Sequence, residues 1–78
     1  MKRAFTVDDL PVGTVFVLKT WLNARNTISK EYIGIVYEQH NEGRFEERHV
    51  CVHYHDGDTD LYFHYEIPDN KIYILEVK

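Results

Sequence analysis

The chain has 78 residues, of which 44% are hydrophobic, 14% aromatic and 28% charged, and its formal net charge is −4. A chain of this length forms one domain, here over 1–78, and its nine scattered basic residues disfavour nucleic-acid binding through phosphate neutralisation. Because no run of 18 apolar residues occurs and the one cysteine cannot form an internal disulfide, we expect no membrane insertion and a cytoplasmic location.

The first half of the chain predicts one helical turn followed by two strands. Thr6 is a candidate N-cap with Asp9 three residues later, and Pro11 prevents a longer helix. Residues 14–22 are rich in Val, Phe, Thr and Trp, which predicts a strand with apolar side chains on both faces. After a loop at 23–27, a second strand is expected to run from Ile28 or Glu31 to His40.

The second half of the chain predicts three more strands, at 44–55, 60–67 and 72–77. The turns between them are expected at 41–43, 56–59 and 68–70, where Asn, Gly, Asp and Pro are concentrated. Connections this short indicate an antiparallel meander. We therefore expect an all-β fold, a five-stranded antiparallel meander curved into a small SH3-like open barrel that hides its edges.

Matching of apolar residues across each expected hairpin predicts the strand register, because a slip of one residue would exchange the two faces. This matching places Ile33 opposite Val52 and brings Gly34, Cys51 and His64 into one row across the sheet. Gly34 is then expected to permit close approach by Cys51. The other expected pairs are Ile35 with Val50, Val52 with Phe63, Tyr54 with Leu61, Ile67 with Ile72 and Tyr65 with Ile74.

The most unusual stretch is 48–55, where His49, Cys51 and His53 alternate with Val50, Val52 and Tyr54. Alternate residues of a strand share one face and stand about 6.6 Å apart. With a histidine from the neighbouring strand, this face predicts a zinc site. Its expected ligands are His49, Cys51, His53 and His64, with Glu66 as a further candidate. Alternatively, the histidines populate a half-exposed surface and the cysteine is a small buried hydrophobe.

Two other patterns suggest chemistry. Cys51 with His53 or His64 could form the thiolate and imidazole pair of an atypical hydrolase. No oxyanion-binding or phosphate-binding loop accompanies that pair, so we expect no enzymatic activity. Alternating aspartates at 56–60 resemble a calcium loop only superficially, because Gly57 comes too early and Ile67 stands where the bidentate Glu is needed. We expect a polar hairpin turn there.

We therefore predict a small, non-enzymatic protein-interaction module that binds through a sheet face rich in His and Tyr. The residues expected to contact a protein partner are Tyr32, Val36, Tyr62 and Tyr73, with Trp21 and Arg25 at the first loop. A compact acidic domain suits an inhibitor of a host protein, encoded by a virus or mobile element. The alternatives are a zinc-binding regulatory or ligand-sensing domain and the hydrolase.

Overall fold

Six antiparallel strands form one open sheet in a computed structural model that describes residues 2–22, 24, 25, 27 and 29–76. The strands are β1 (Lys2–Arg3), β2 (Val15–Trp21), β3 (Ser29–His40), β4 (His49–Tyr54), β5 (Thr59–Phe63) and β6 (Lys71–Glu76). Three 3₁₀ helices occupy Val7–Asp9, Phe45–Glu47 and Ile67–Asp69. The spatial order is β1-β6-β2-β3-β4-β5, so β1 and β5 are the edges and the sheet is not closed into a barrel.

The all-β prediction is confirmed, but the expected count of five strands is wrong. The additional strand is β1, which pairs with β6 through Lys2 opposite Ile74. Two charged residues carry no strand signal, so this short strand could not be expected from local residue patterns. No helix within the described ranges is long and apolar enough to cross a membrane.

The expected N-terminal helical turn is present as the first 3₁₀ helix, with Thr6 at the N-cap. Asp9 Oδ2 accepts hydrogen bonds from the backbone N–H groups of Phe5 (3.0 Å) and Thr6 (3.2 Å). Gln39 Nε2 on β3 donates to the carbonyls of Val7 (2.8 Å) and Leu10 (3.2 Å). The turn is therefore fixed both locally and to the sheet.

The expected meander fails at its last connection, because β6 does not pair with β5. The third 3₁₀ helix carries Pro68 in its first turn and buries Ile67 completely, so the connection packs into the core instead of forming a hairpin. β6 then lies between β1 and β2, with Ile72 opposite Leu18. The expected pairs of Ile67 with Ile72 and of Tyr65 with Ile74 are wrong.

The predicted register of β3 against β4 is also wrong. Val36, instead of Ile33, lies opposite Val52, and both valines are in the core. Ile33 and Ile35 remain 49% and 40% exposed on the other face. The connection is longer than the predicted turn at 41–43, because residues 41–48 include the second 3₁₀ helix.

The register of β4 against β5 differs from the prediction in the same way. Val52 lies opposite Asp60, not Phe63, and Cys51 lies opposite Leu61, not His64. As a result Tyr62 points into the core, with 6% of its surface exposed, and Leu61 points outward. The predicted row of Gly34, Cys51 and His64 does not exist.

Gly34 instead lies in a row with two aromatic residues. Phe16 on β2 and Tyr54 on β4 are its direct partners on the two sides. Their rings meet over the glycine, edge to face, with centroids 5.9 Å apart. A Cβ built on Gly34 would stand 2.5 Å from Phe16 Cζ. The expected approach of Cys51 to Gly34 is therefore wrong, because the side chain that packs closely on this glycine is Phe16.

The core lies on one side of the sheet, which we call the inner face. The N-terminal segment and the third 3₁₀ helix cover this face and contribute Val7, Leu10 and Ile67 to it. The full cluster is Ala4, Val7, Leu10, Phe16, Leu18, Val36, Val50, Val52, Tyr62, Ile67 and Ile72. The opposite face, which we call the outer face, therefore carries the residues between these inward-pointing ones.

Candidate functional site

The outer face carries a group of large apolar side chains that remain exposed. Ile33, Ile35 and Tyr37 on β3 are 49%, 40% and 45% exposed, and Leu61 on β5 is 38% exposed. Strand β4 runs between them and contributes Cys51 and His53. We call these six residues the outer patch.

The members of the outer patch are direct neighbours across the strands. Ile35 lies opposite His53, and Cys51 lies opposite Leu61. The rings of Tyr37 and His53 stack with centroids 4.1 Å apart. A depression of about 230 Å³, lined in part by Ile33, Ile35 and His53, lies within the patch. The patch is therefore one continuous surface across three strands.

A β-bulge after Val36 shapes one end of the outer patch. It places Glu38 opposite Cys51, and Glu38 Oε2 lies 3.3 Å from His40 Nε2. The His40 ring stacks on that of His49, with centroids 4.4 Å apart. The bulge thus adds a carboxylate and two imidazoles to the rim of an otherwise apolar surface.

The environment of Cys51 disfavours a thiolate. Burial, and then the hydrogen bond and negative charge of Glu38, raise the pKa of the Cys51 thiol above its ordinary value. The thiol is consequently protonated at neutral pH, whereas a nucleophilic cysteine needs a lowered pKa. This geometry gives the hydrolase hypothesis no activated nucleophile at Cys51.

The four predicted zinc ligands are not brought together. His49 stacks on His40, while His53 stacks on Tyr37. His64 follows the end of β5 and packs on Phe45, with ring centroids 4.2 Å apart. Over the part of the chain that the structure describes, no group of three or more His, Cys, Asp or Glu side chains is placed to hold a metal ion. Zinc binding stays a prediction.

Glu66, the further candidate ligand, has a structural partner. Its Oε1 atom accepts a hydrogen bond from the backbone N–H of Phe63 at 3.1 Å. Phe63 lies on the edge strand β5, so this carboxylate caps a donor that the sheet leaves unpaired. The arrangement explains the position of Glu66 without a metal.

Three of the residues predicted to contact a partner face the core. Val36 and Tyr62 are 1% and 6% exposed, so their expected placement on an accessible face is wrong. Tyr32 is partly buried and packs against the same cluster. Each of the three faces inward because the observed strand pairing places it on the inner side of its strand.

The other three predicted contacts remain accessible. Trp21 is 39% exposed, with Lys71 Nζ 4.9 Å from a ring centroid of its indole. Tyr73 is partly buried, and Lys19 Nζ lies 5.7 Å from its ring centroid. Arg25 is exposed in the loop after β2. Trp21 and Tyr73 have basic neighbours, and all three residues lie outside the strands β4 and β5 of the outer patch.

Comparison of the chain with protein-family models, with curated proteins and with solved structures finds no match in any of the three. The structure defines an all-β domain with an open six-stranded antiparallel sheet. The outer patch lies on one side of this sheet and the core on the other.

Proposed function

We propose that this protein is a small protein-interaction module and that the outer patch is its binding surface. The observation that supports the proposal is the exposure of Ile33, Ile35, Tyr37 and Leu61 on strands flanking β4. Contiguous apolar surface of this kind is characteristic of interaction sites in soluble proteins. Covering it with a partner would remove apolar area from water at about 25 cal/mol per Å² before the costs of association.

The chemistry of the patch suits a protein partner. Tyr37, stacked on His53, is an amphipathic ring held in place by its neighbour, so little conformational entropy is lost when it binds. Aromatic residues at the centre of an apolar area, with a polar rim, are typical binding hot spots. Glu38, His40 and His49 supply such a rim.

The expected partner is a different protein with neutral or basic surface. The formal charge of −4 makes two copies of this chain repel each other and favours a basic partner. A module that occupies an apolar surface of another protein can act by blocking it. Inhibition of a host protein in the cytoplasm, by a non-enzymatic domain of viral or mobile-element origin, is therefore our hypothesis. This hypothesis does not depend on the SH3-like architecture, which stays a prediction.

The proposal is tested with patch variants that leave the core intact. Wild-type protein, Ile35→Ser and Leu61→Ser are immobilised, and proteins captured from host extract are quantified by mass spectrometry. Val12→Ser is the matched control, since Val12 is 54% exposed but precedes β2 in a turn. We expect a stoichiometric partner to be retained by the control and reduced at least tenfold by either patch variant.

Two outcomes would overturn the proposal. In one, Ile35→Ser and Leu61→Ser, folded by circular dichroism, capture the same partner as wild type. In the other, binding is lost only on changes at Trp21 or Arg25, which would assign the interaction to the first loop. If the pure protein sediments as a dimer and the patch variants disrupt that dimer, the partner is a second copy of this chain instead of a different protein.

A further inference from the structure

A second recess lies on the inner side of the sheet, beside the turn between β4 and β5. It is a cavity of about 230 Å³. Its apolar part consists of Leu18, Tyr32 and Tyr54, which are inward-facing residues of three neighbouring strands. Its other wall is formed by the turn, through Asp56, Asp58, Thr59 and Asp60. We call this recess the Tyr–Asp pocket.

The aromatic wall of the pocket is held in a fixed position. Tyr54 meets the rings of Phe16 and Tyr32 edge to face, each with centroids 5.9 Å apart. Its hydroxyl is hydrogen-bonded to that of Tyr62 at 2.5 Å. Because Gly34 lets Phe16 reach Tyr54, the packing of the core determines the shape of the pocket. Such a site needs little rearrangement to bind a ligand.

The acidic wall has charge that the described chain does not neutralise. Among the described residues, Lys2 pairs with Asp9, Lys19 with Glu31 and His40 with Glu38, and none of these ion pairs involves the pocket. Asp56 and Asp60 each use one carboxylate oxygen to accept a backbone N–H, from Asp58 (3.0 Å) and Leu61 (2.8 Å). These contacts orient two carboxylates without neutralising their charge.

Two further observations indicate a negative potential in this recess. Burial is the largest cause that raises the pKa of Tyr54, followed by its hydrogen bond with Tyr62 and then by the charges of Asp60 and Asp56. The two aspartates of the turn therefore exert a negative potential on the aromatic wall. Independently, Lys30 Nζ lies 4.9 Å from the centroid of the Tyr32 ring. The protein thus already places one of its own cations on an aromatic ring that lines the pocket.

We propose that the Tyr–Asp pocket binds the guanidinium group of an arginine side chain presented by a partner protein. A planar guanidinium stacks on a tyrosine ring and donates in pairs to carboxylates, which uses both walls. An ammonium ion is a compact, strongly hydrated charge and cannot stack in this way. The pocket lies on the opposite side of the sheet from the outer patch, so this inference goes beyond the function proposed above and is tested without it.

The test is a titration of the full chain, followed by two-dimensional ¹H–¹⁵N NMR, with N-acetyl-arginine amide. The neutral isostere N-acetyl-citrulline amide and the amide of Nα-acetyl-lysine are titrated in parallel. We expect saturable shifts at Tyr32, Tyr54 and residues 56–60, with a dissociation constant on the order of millimolar. Lysine should bind at least threefold more weakly than arginine, and citrulline should give no saturable shift.

Variants separate the pocket from general charge. Asp58→Asn removes a pocket carboxylate that makes no hydrogen bond to another residue that the structure describes, and we expect this variant to bind arginine at least threefold more weakly. Asp69→Asn removes the same charge as Asp58→Asn, but in the third 3₁₀ helix, and this control should bind arginine as wild type does. Ile35→Ser should also leave arginine binding unchanged, which keeps this result independent of the outer patch.

Several results would overturn the inference. These are the absence of saturable shifts with arginine amide, equal shifts with citrulline, equal affinity for lysine, or unchanged affinity in folded Asp58→Asn. Tyr32→Leu is the second variant, which removes the stacking surface but keeps the acidic turn. Loss of arginine binding in Tyr32→Leu, with its fold intact, is the expected result, and retained affinity would contradict the proposed stacking.

Discussion

Gly34 lies directly opposite Phe16, and the Phe16 ring occupies the space that a side chain on Gly34 would need. This contact requires Gly34 to face the core, and the alternation of β3 then turns Ile33 and Ile35 outward. One glycine therefore links the interior to both candidate sites. It exposes the isoleucines of the outer patch, and it lets Phe16 reach the Tyr54 ring of the Tyr–Asp pocket.

The first prediction is that Gly34→Val destabilises the fold despite the better strand propensity of valine. The added methyl groups must displace Phe16, and overpacking of this kind costs about 1 to 3 kcal/mol. Urea titration measures the loss. In a double-mutant cycle, Phe16→Leu should reduce the cost of Gly34→Val, because the displaced ring is gone. Additive effects, or a neutral Gly34→Val, would show that the contact does not restrict this position.

The second prediction compares two adjacent residues of β5. Tyr62 is 6% exposed and Leu61 is 38% exposed, although the pattern of the sequence favoured the reverse orientation. Tyr62→Ala should lower the free energy of unfolding by roughly 3 kcal/mol through loss of core packing. Leu61→Ala should cost less than about 1 kcal/mol. A larger loss for Leu61→Ala in the same denaturant series would mean that β5 is turned the other way.

The third prediction concerns acid. The pKa of Asp9 lies below its usual value, chiefly because the backbone N–H of Phe5 donates a hydrogen bond to its carboxylate. The N–H of Thr6 and the charge of Lys2 lower this pKa further, whereas burial acts in the opposite direction. Because the pKa is lower in the folded state, this stabilisation is present above pH 4 or so and disappears as the pH falls through the folded pKa. Asp9→Asn should therefore cost about 1 kcal/mol at pH 7 and progressively less toward pH 2. A difference that stays constant between these pH values would contradict the assignment.

The fourth prediction concerns the exposed edge of the sheet at β5. The outward N–H groups of Leu61 and Phe63 donate to the carboxylates of Asp60 (2.8 Å) and Glu66 (3.1 Å). These acidic caps occupy donors with which another strand could pair. Glu66→Ala should therefore increase self-association in sedimentation equilibrium, whereas Glu66→Gln, which keeps an acceptor oxygen, should increase it less. Equal behaviour of both variants and wild type would remove this role from Glu66.

The sequence allowed the secondary structure to be predicted better than the pairing of strands. The helical turn at Thr6 and the strands β2 to β6 follow from local patterns, and local patterns are what the residues encode directly. Register depends instead on contacts between distant residues. Ile33 and Ile35 are typical core residues by composition, and only the packing of Phe16 on Gly34 shows that they face outward.

The candidate sites were harder to predict for related reasons. The bulge that brings Glu38 beside Cys51 leaves no mark in the alternation of residue types. The register of β5 against β4, with Cys51 opposite Leu61, separates His64 from the other predicted zinc ligands, and no local pattern encodes that register. The sequence contains one signal of the true orientation of β3, which is the isolated glycine between two isoleucines. An inward-facing glycine requires an aromatic or other large neighbour to fill the space beside it.

The central claim, that the outer patch contacts another protein, is tested most directly by site-specific photocrosslinking in the host cell. A benzoylphenylalanine is placed at position 37, in the patch, or at position 5, where the exposed Phe5 lies in the N-terminal segment outside the strands. We predict a crosslink to one host protein from position 37 and none from position 5. Crosslinks from position 5 alone, or none from position 37 while the protein is folded and present, would contradict the account.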